Sequence, residues 1–253
     1  MSGLVVFARK ETLEILRTWR RAVLPGVLLF FAISGPPLAR YTPQILQTFA
    51  GDELGALVLP TPTYLDAYTQ WVTNLSQVAL IALVIVYGGL VSAERRNGTA
   101  LLVLTKPVSR SAFVVVKWAV NAAFVTVLLV VGTAVTWALT LATFGSAPAS
   151  GVWAASLVWL VLAVLLIALM TVLSVVTASS SAAAGAGLGA YLLISIASLW
   201  EPLASWTPVG LQSQAAALAS GAPASPLWPV ATGLALAVGL VALAAALFRR
   251  VEL

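Results

Sequence analysis

Apolar residues in this chain come in blocks of about twenty, the length at which an α-helix rising 1.5 Å per residue crosses a ~30 Å hydrocarbon core. The blocks cover 22–39, 74–92, 113–142, 152–177, 183–200 and 229–248, each bounded by charge, Pro/Gly or Ser clusters. Charged residues are 8% of the 253, against about 25% in a soluble domain, so no soluble fold hides this much apolar surface. The expected fold class is an all-α polytopic membrane protein, one transmembrane domain over 1–253 with six transmembrane helices. The third and fourth blocks exceed a minimal span and should tilt or protrude.

With six spans, both termini share a side with segment 93–117 and the turn 178–182. That side collects Arg9, Lys10, Arg17, Arg20, Arg21, Arg95, Arg96, Lys106, Arg110, Lys117, Arg249 and Arg250, and leaves only Arg40 opposite. The positive-inside rule therefore predicts cytoplasmic N- and C-termini. Trp71, Trp137, Trp153, Trp200 and Trp228 fall near the expected outer ends, and Trp19 and Trp118 near inner ones. Block 22–39 follows a long charged stretch and carries Pro25, Pro36 and Pro37 in or beside it, so it is read as a true span and not a signal peptide.

The chain has no His and no Cys, which excludes disulfides, zinc sites, thiol nucleophiles and imidazole bases. No metal site and no catalytic residue is expected. The basic residues sit at helix ends, where topology accounts for them without nucleic acid. No P-loop pattern occurs, so the chain does not bind ATP through one of its own.

Residues 4–21 place Val5, Ala8, Thr12, Ile15 or Leu16 and Trp19 on one helical stripe, with Lys10, Glu14, Arg17 and Arg21 opposite. This pattern fits a helix lying in the cytoplasmic interface, beside the plainer alternative of a solvated basic flank. Segment 40–73 is read as an extracytoplasmic loop with two short helices. One is capped by Thr42-Pro43 and stopped by Gly51. The other starts at Thr63 with Asp66 three residues on and puts Tyr64, Tyr68 and Trp71 on one face at interface depth. Thr207-Pro208 opens a run to Gly221 that is too short and polar to span, giving an extracytoplasmic or re-entrant segment within 201–226.

The most informative stretch is 92–117. Gly98 breaks the chain, Thr99 can cap, Leu101, Leu102, Val103 and Leu104 make an apolar turn, Pro107 stops it and Ser109 can cap the next helix. A short apolar helix on the cytoplasmic side needs burial, either in a protein groove or by dipping into the headgroups. Glu94-Arg95-Arg96-Asn97-Gly98-Thr99 followed by Pro107-Val108-Ser109-Arg110 resembles type-2 ABC transporter permeases of the bacterial exporter-like kind.

That resemblance implies several things. Segment 93–112, with Glu94, Arg95, Gly98, Thr99, Leu101, Leu102, Leu104, Pro107 and Arg110, would be a coupling helix docking on a separate cytoplasmic ATPase. The 4–21 stretch, with Lys10, Glu14, Arg17 and Trp19, would be the family's elbow helix. Two ATPase copies, MgATP held on them, and a second permease subunit as homodimer or heterodimer would complete the complex in the bacterial cytoplasmic (inner) membrane. The outer loop around LPTPTYLDAYTQW is also similar to bacterial members of this group. One departure is Leu101, where members often carry the Glu of a capping box.

Energy supply can be weighed independently. The spans are read as free of Asp, Glu, Lys and Arg, leaving proton coupling without a carrier. An external ATPase fits, and Na⁺ coupling through carbonyls and hydroxyls is a weaker alternative. Gln77, Asn121, Thr133, Ser174 and Ser195 either line a translocation path or glue helices together, and Gly185 with Gly189 forms a small-xxx-small element suited to close packing or a dimer seam. Gly88-Gly89 permits bending before the coupling segment. Glu201, before Pro202, is read as an outer gate or a helix stop.

The expected function is a permease subunit, not itself an enzyme, that couples ATP hydrolysis on another subunit to export of a drug, lipid or similar amphipathic substrate. The alternative from another class is a mechanical relay to an extracytoplasmic partner held by Tyr64, Tyr68 and Trp71.

Overall fold

The computed structural model describes residues 3–54, 61–99, 103, 105 and 108–251. Leu101, Leu102, Leu104 and Pro107 of the expected coupling segment lie outside the described residues. All regular structure among those described is helical: α1 (Gly3–Arg17), α2 (Arg20–Leu54), α3 (Tyr64–Asn74), a π-helical segment (Leu75–Ala79), α4 (Leu80–Tyr87), α5 (Ser92–Arg96), α6 (Arg110–Phe144), α7 (Ala149–Val176), α8 (Ser180–Ala197), α9 (Glu201–Trp206), a 3₁₀ turn (Pro208–Gly210), α10 (Leu211–Ser220) and α11 (Leu227–Arg249). Six are long and apolar enough to cross a membrane, with Tyr64–Arg96 counted as one. The protein is a multi-pass membrane protein.

Two of the six form the centre. In the most apolar window of each helix, 72% of the Tyr64–Arg96 span and 67% of α7 is buried inside the protein, against 11% of α8. Trp71, Trp159, Leu75, Leu83, Val84, Leu162 and Met170 fill the core between the two. Small residues permit the close approaches around it. A Cβ on Gly187 would run into Met170 Sδ, and one on Gly88 would come within 2.7 Å of the Ser180 carbonyl. The Gly88–Gly89 pair thus seats the start of α8, in addition to ending α4.

Several expectations change. The first span does not stop near residue 39, and no new helix begins at Thr42-Pro43. Helix α2 runs unbroken to Leu54 with Pro25, Pro36, Pro37 and Pro43 inside it. Each proline removes one backbone donor and kinks the helix, and in apolar surroundings the remaining ladder outweighs that loss because backbone left outside a helix would lack water to bond with. The helix starting at Thr63 is real, and the Thr63 N–H donates to Asp66 Oδ2 at 2.6 Å. It continues into the second span instead of lying on a surface.

The other turn chemistry matches its residues. Gly145 closes α6 in the left-handed region at φ +77°, and the Trp137 indole N–H donates to the Ala147 carbonyl at 2.9 Å across that turn. Thr207 caps the 3₁₀ turn, and Gly221 ends α10 at φ +75°, so the 201–226 stretch holds short helices and no span. Arg110 Nη1 donates to the Val251 carbonyl at 2.6 Å, which brings the start of α6 and the end of α11 to the end of the bundle where α1 also lies. This is called the basic end below.

Candidate functional site

At the basic end five charged side chains from three parts of the chain meet. Lys117, two turns into α6, has 1% side-chain exposure and donates to Glu11 Oε2 of α1 at 2.8 Å and to Glu94 Oε1 of α5 at 2.9 Å. Lys10 reaches the same group from α1, with Glu94 Oε1 at 2.7 Å, Glu11 Oε1 at 2.9 Å and Glu14 Oε2 at 2.6 Å. The expectation that no ionisable residue lies within a span fails at Lys117. It can be buried there because two carboxylates reach it from outside the apolar block.

The cluster is walled by rings. Phe7, Phe113 and Phe248 stack with centroids 5.3 and 5.2 Å apart, and the Lys117 ammonium lies 5.2 Å from the Phe113 centroid. Apolar walls strengthen every charge interaction inside them. Burial alone lowers the pKa of the Lys10 ammonium, but hydrogen bonds to Glu14, Glu94 and Glu11 outweigh it and hold the pKa above the ordinary lysine range. Carboxylate oxygens of Glu11, Glu14 and Glu94 lie within 4.8 Å of one another. Such a trio could hold a hard cation, but Lys10 and Lys117 already supply positive charge at its centre.

Helix α1 buries a stripe one residue away from the apolar stripe read from its sequence. Phe7, Glu11 and Ile15 are its buried stripe, whereas Val5, Leu13, Leu16 and Trp19 are exposed. Lys10 and Glu14 turn toward the protein and Arg17 away from it. The ionic partners inside favour this, since Glu11 would otherwise lose Lys117 and Glu94 would lose Lys10. An apolar outer face on α1 is what lipid contact requires.

The segment after α4 is held by the same end of the bundle. Ser174 Oγ accepts from the backbone N–H of Val91 at 2.9 Å and of Ser92 at 3.0 Å. Arg95 Nη1 donates to the Val175 carbonyl at 2.8 Å, and Thr99 Oγ1 to the Glu94 carbonyl at 3.3 Å. Gly98 takes φ +70°, so it is the break expected there. Glu94 is thus the residue through which 92–99, α1 and α6 share one charge cluster.

The other nominated residues have different surroundings. Tyr68 and Trp71 are fully buried, with Tyr68 donating to the Pro148 carbonyl at 3.1 Å and Trp71 Nε1 to Ser156 Oγ at 3.2 Å. They form no partner surface or membrane anchor, because α3 enters the bundle core; Tyr64 stacks edge-on against Tyr68, centroids 5.6 Å apart. Thr133 Oγ1 donates to Ser156 Oγ at 2.9 Å, and Asn121 Nδ2 to the Lys117 carbonyl at 2.7 Å, so both hold backbone and neighbouring helices. Gly185 and Gly189 have open space where a Cβ would stand, and Gly187 makes the close packing instead. Glu201 is exposed at the first turn of α9. Gln77 is exposed within the π-helical segment, and Ser195 lies in the last turn of α8.

Sequence reasoning missed Phe7, Glu11 and Lys117. The available signal was the i, i+4, i+8 run Phe7–Glu11–Ile15, one step out of phase with the stripe chosen, together with a single lysine inside an apolar block.

Residues 58–248 match the model of a family described as "Protein of unknown function (DUF2705)", three quarters of the chain, and the chain belongs to that family. No curated protein matches it.

Proposed function

We propose that this member of the DUF2705 family is the membrane-spanning permease subunit of an ATP-binding-cassette exporter, with both termini in the cytoplasm of a bacterial cell. A cytoplasmic ATPase would bind at 93–112 and hydrolyse MgATP there, and a second permease subunit would complete the path for a hydrophobic or amphipathic substrate.

The observation that carries this reading is the Glu94 junction. A machine driven from outside the membrane needs the loop that receives the push to be rigidly joined to the spans that move. Here Glu94 shares Lys117 with Glu11, and Ser174 holds the backbone just before α5. Displacing 92–99 would therefore load α6 and α7 together. The resemblance of 94–99 and 107–110 to type-2 permeases and the lack of a P-loop support the same reading.

The test is co-purification of the tagged protein with the ATPase encoded beside it, followed by ATP hydrolysis in detergent. The wild type should recruit the ATPase and stimulate it. Gly98→Pro, placed in a left-handed turn on the surface, should abolish stimulation while the permease still folds. If the wild type recruits no ATPase, the reading fails.

A further inference from the structure

Far from the charge cluster, the second span carries a π-helical segment, Leu75–Ala79. A π-turn inserts one residue into a helix, shifts the faces of everything after it, and occurs most often where function needs it. Its deviation is held in place here, because the Tyr191 hydroxyl donates to the Ser76 carbonyl at 2.7 Å.

Beside this segment a pocket of about 120 Å³ is lined by Val72, Thr73, Ser76, Gln77, Gln212 and Ala216. Ser76 is 4% exposed, and both its hydroxyl oxygen and Gln212 Oε1 are buried with no hydrogen-bond partner. Leaving such a group unpaired is costly, and two in one pocket point to a hydrogen-bonding ligand. The pocket is not sealed, since Thr73, Gln77 and Ala216 are exposed.

The lining sets the ligand's chemistry. No Asp, Glu, Lys or Arg borders the pocket, so a fully charged group would enter a low-dielectric site without counter-charge. Gln212 Oε1 calls for an O–H or N–H, and the Ser76 hydroxyl can accept one or donate its own. Val72 and Ala216 favour an apolar body behind it.

We propose that this notch binds the neutral hydroxyl or amide head of an amphipathic molecule, its O–H or N–H donating to Gln212 Oε1, its oxygen pairing with the Ser76 hydroxyl, and the tail leaving past Ala216. Binding here needs neither nucleotide nor a partner subunit, so it stands or falls apart from the ATPase reading.

The experiment uses purified protein in phosphatidylcholine vesicles with an eight-carbon primary alcohol carrying a diazirine, and with its O-methyl ether. Illumination followed by peptide mass spectrometry reads which residues are labelled. The alcohol should label 72–77 and 212–216 about fivefold more than the ether, the factor expected for one net hydrogen bond. Ser76→Ala with Gln212→Leu should erase that preference. Ala216→Phe, which fills the notch and keeps both acceptors, should block labelling altogether. Equal labelling by alcohol and ether, or alcohol labelling no greater than on the lipid-facing side of α8, overturns the proposal.

Discussion

The basic end and the mid-span π-segment handle buried polar groups in different ways. At the basic end, the charges of Lys117, Glu11 and Glu94 are buried beside aromatic rings and pair with one another and with the part-exposed Lys10 and Glu14. At the π-segment, neutral oxygens are buried and left unpaired. Charges cannot be stranded, because an unpaired buried ion costs far more than any local fold returns, whereas a hydroxyl or amide can be. A membrane protein can therefore use charge for permanent joints and neutral polarity for places that something must enter and leave.

Removing one partner of the joint is the strongest way to break this contrast. Lys117→Met leaves Glu11 and Glu94 with the part-exposed Lys10 as their counter-charge and should destabilise the protein by about 2–3 kcal/mol, below the full cost of an unpaired buried charge, read as a lowered unfolding midpoint in detergent. The triple variant Lys117→Met, Glu11→Gln, Glu94→Gln should recover most of it. A triple variant as unstable as the single one would show that aromatic packing, and not charge pairing, holds this end.

A middle-sized effect separates packing from open surface within one helix. Gly187→Val drives a side chain into Met170 and Val84 and should cost about 1–3 kcal/mol. Gly185→Val, where the space is open, should stay within about 0.5 kcal/mol for the monomer. If cross-linking shows that Gly185→Val lowers self-association, the open face of α8 is a seam between copies.

The smallest effect concerns Lys10. Its pKa is raised in the folded state, so its contribution is fully present below the ordinary lysine value of about 10.4 and declines only as pH rises beyond it toward the raised value. Hydrogen exchange in α1 should be insensitive to Lys10 titration from pH 6 to 9, and Lys10→Met should loosen α1 over that whole range. Loosening of wild-type α1 near neutral pH would mean that another group controls docking.

The six spans were legible because a 20-residue apolar block has few other uses, and the caps at Thr63, Ser109 and Thr207 because their side chains act on backbone a few residues away. Proline was over-read in α2. Its helix-stopping power is calibrated in water, where freed carbonyls find partners, and the apolar setting removes that escape. The orientation of α1 was not legible from its own residues, since the deciding partners, Glu94 and Lys117, lie 84 and 106 positions away from Lys10 and Glu11. The notch was hidden for a related reason. Gln77 could be nominated from polarity alone, but nothing local announces a π-turn or brings Gln212 beside Ser76.

The separation of Glu11 from Lys117 also orders the birth of the protein. Synthesis delivers α1 before α6, and Glu11 must wait for more than a hundred further residues before its lysine exists. Until then the pairings of Lys10 with Glu11 and Glu14 are those α1 can make for itself, and its apolar outer face can rest on lipid. Docking of α1 thus becomes a late checkpoint, closed only after the third span has begun to enter the membrane.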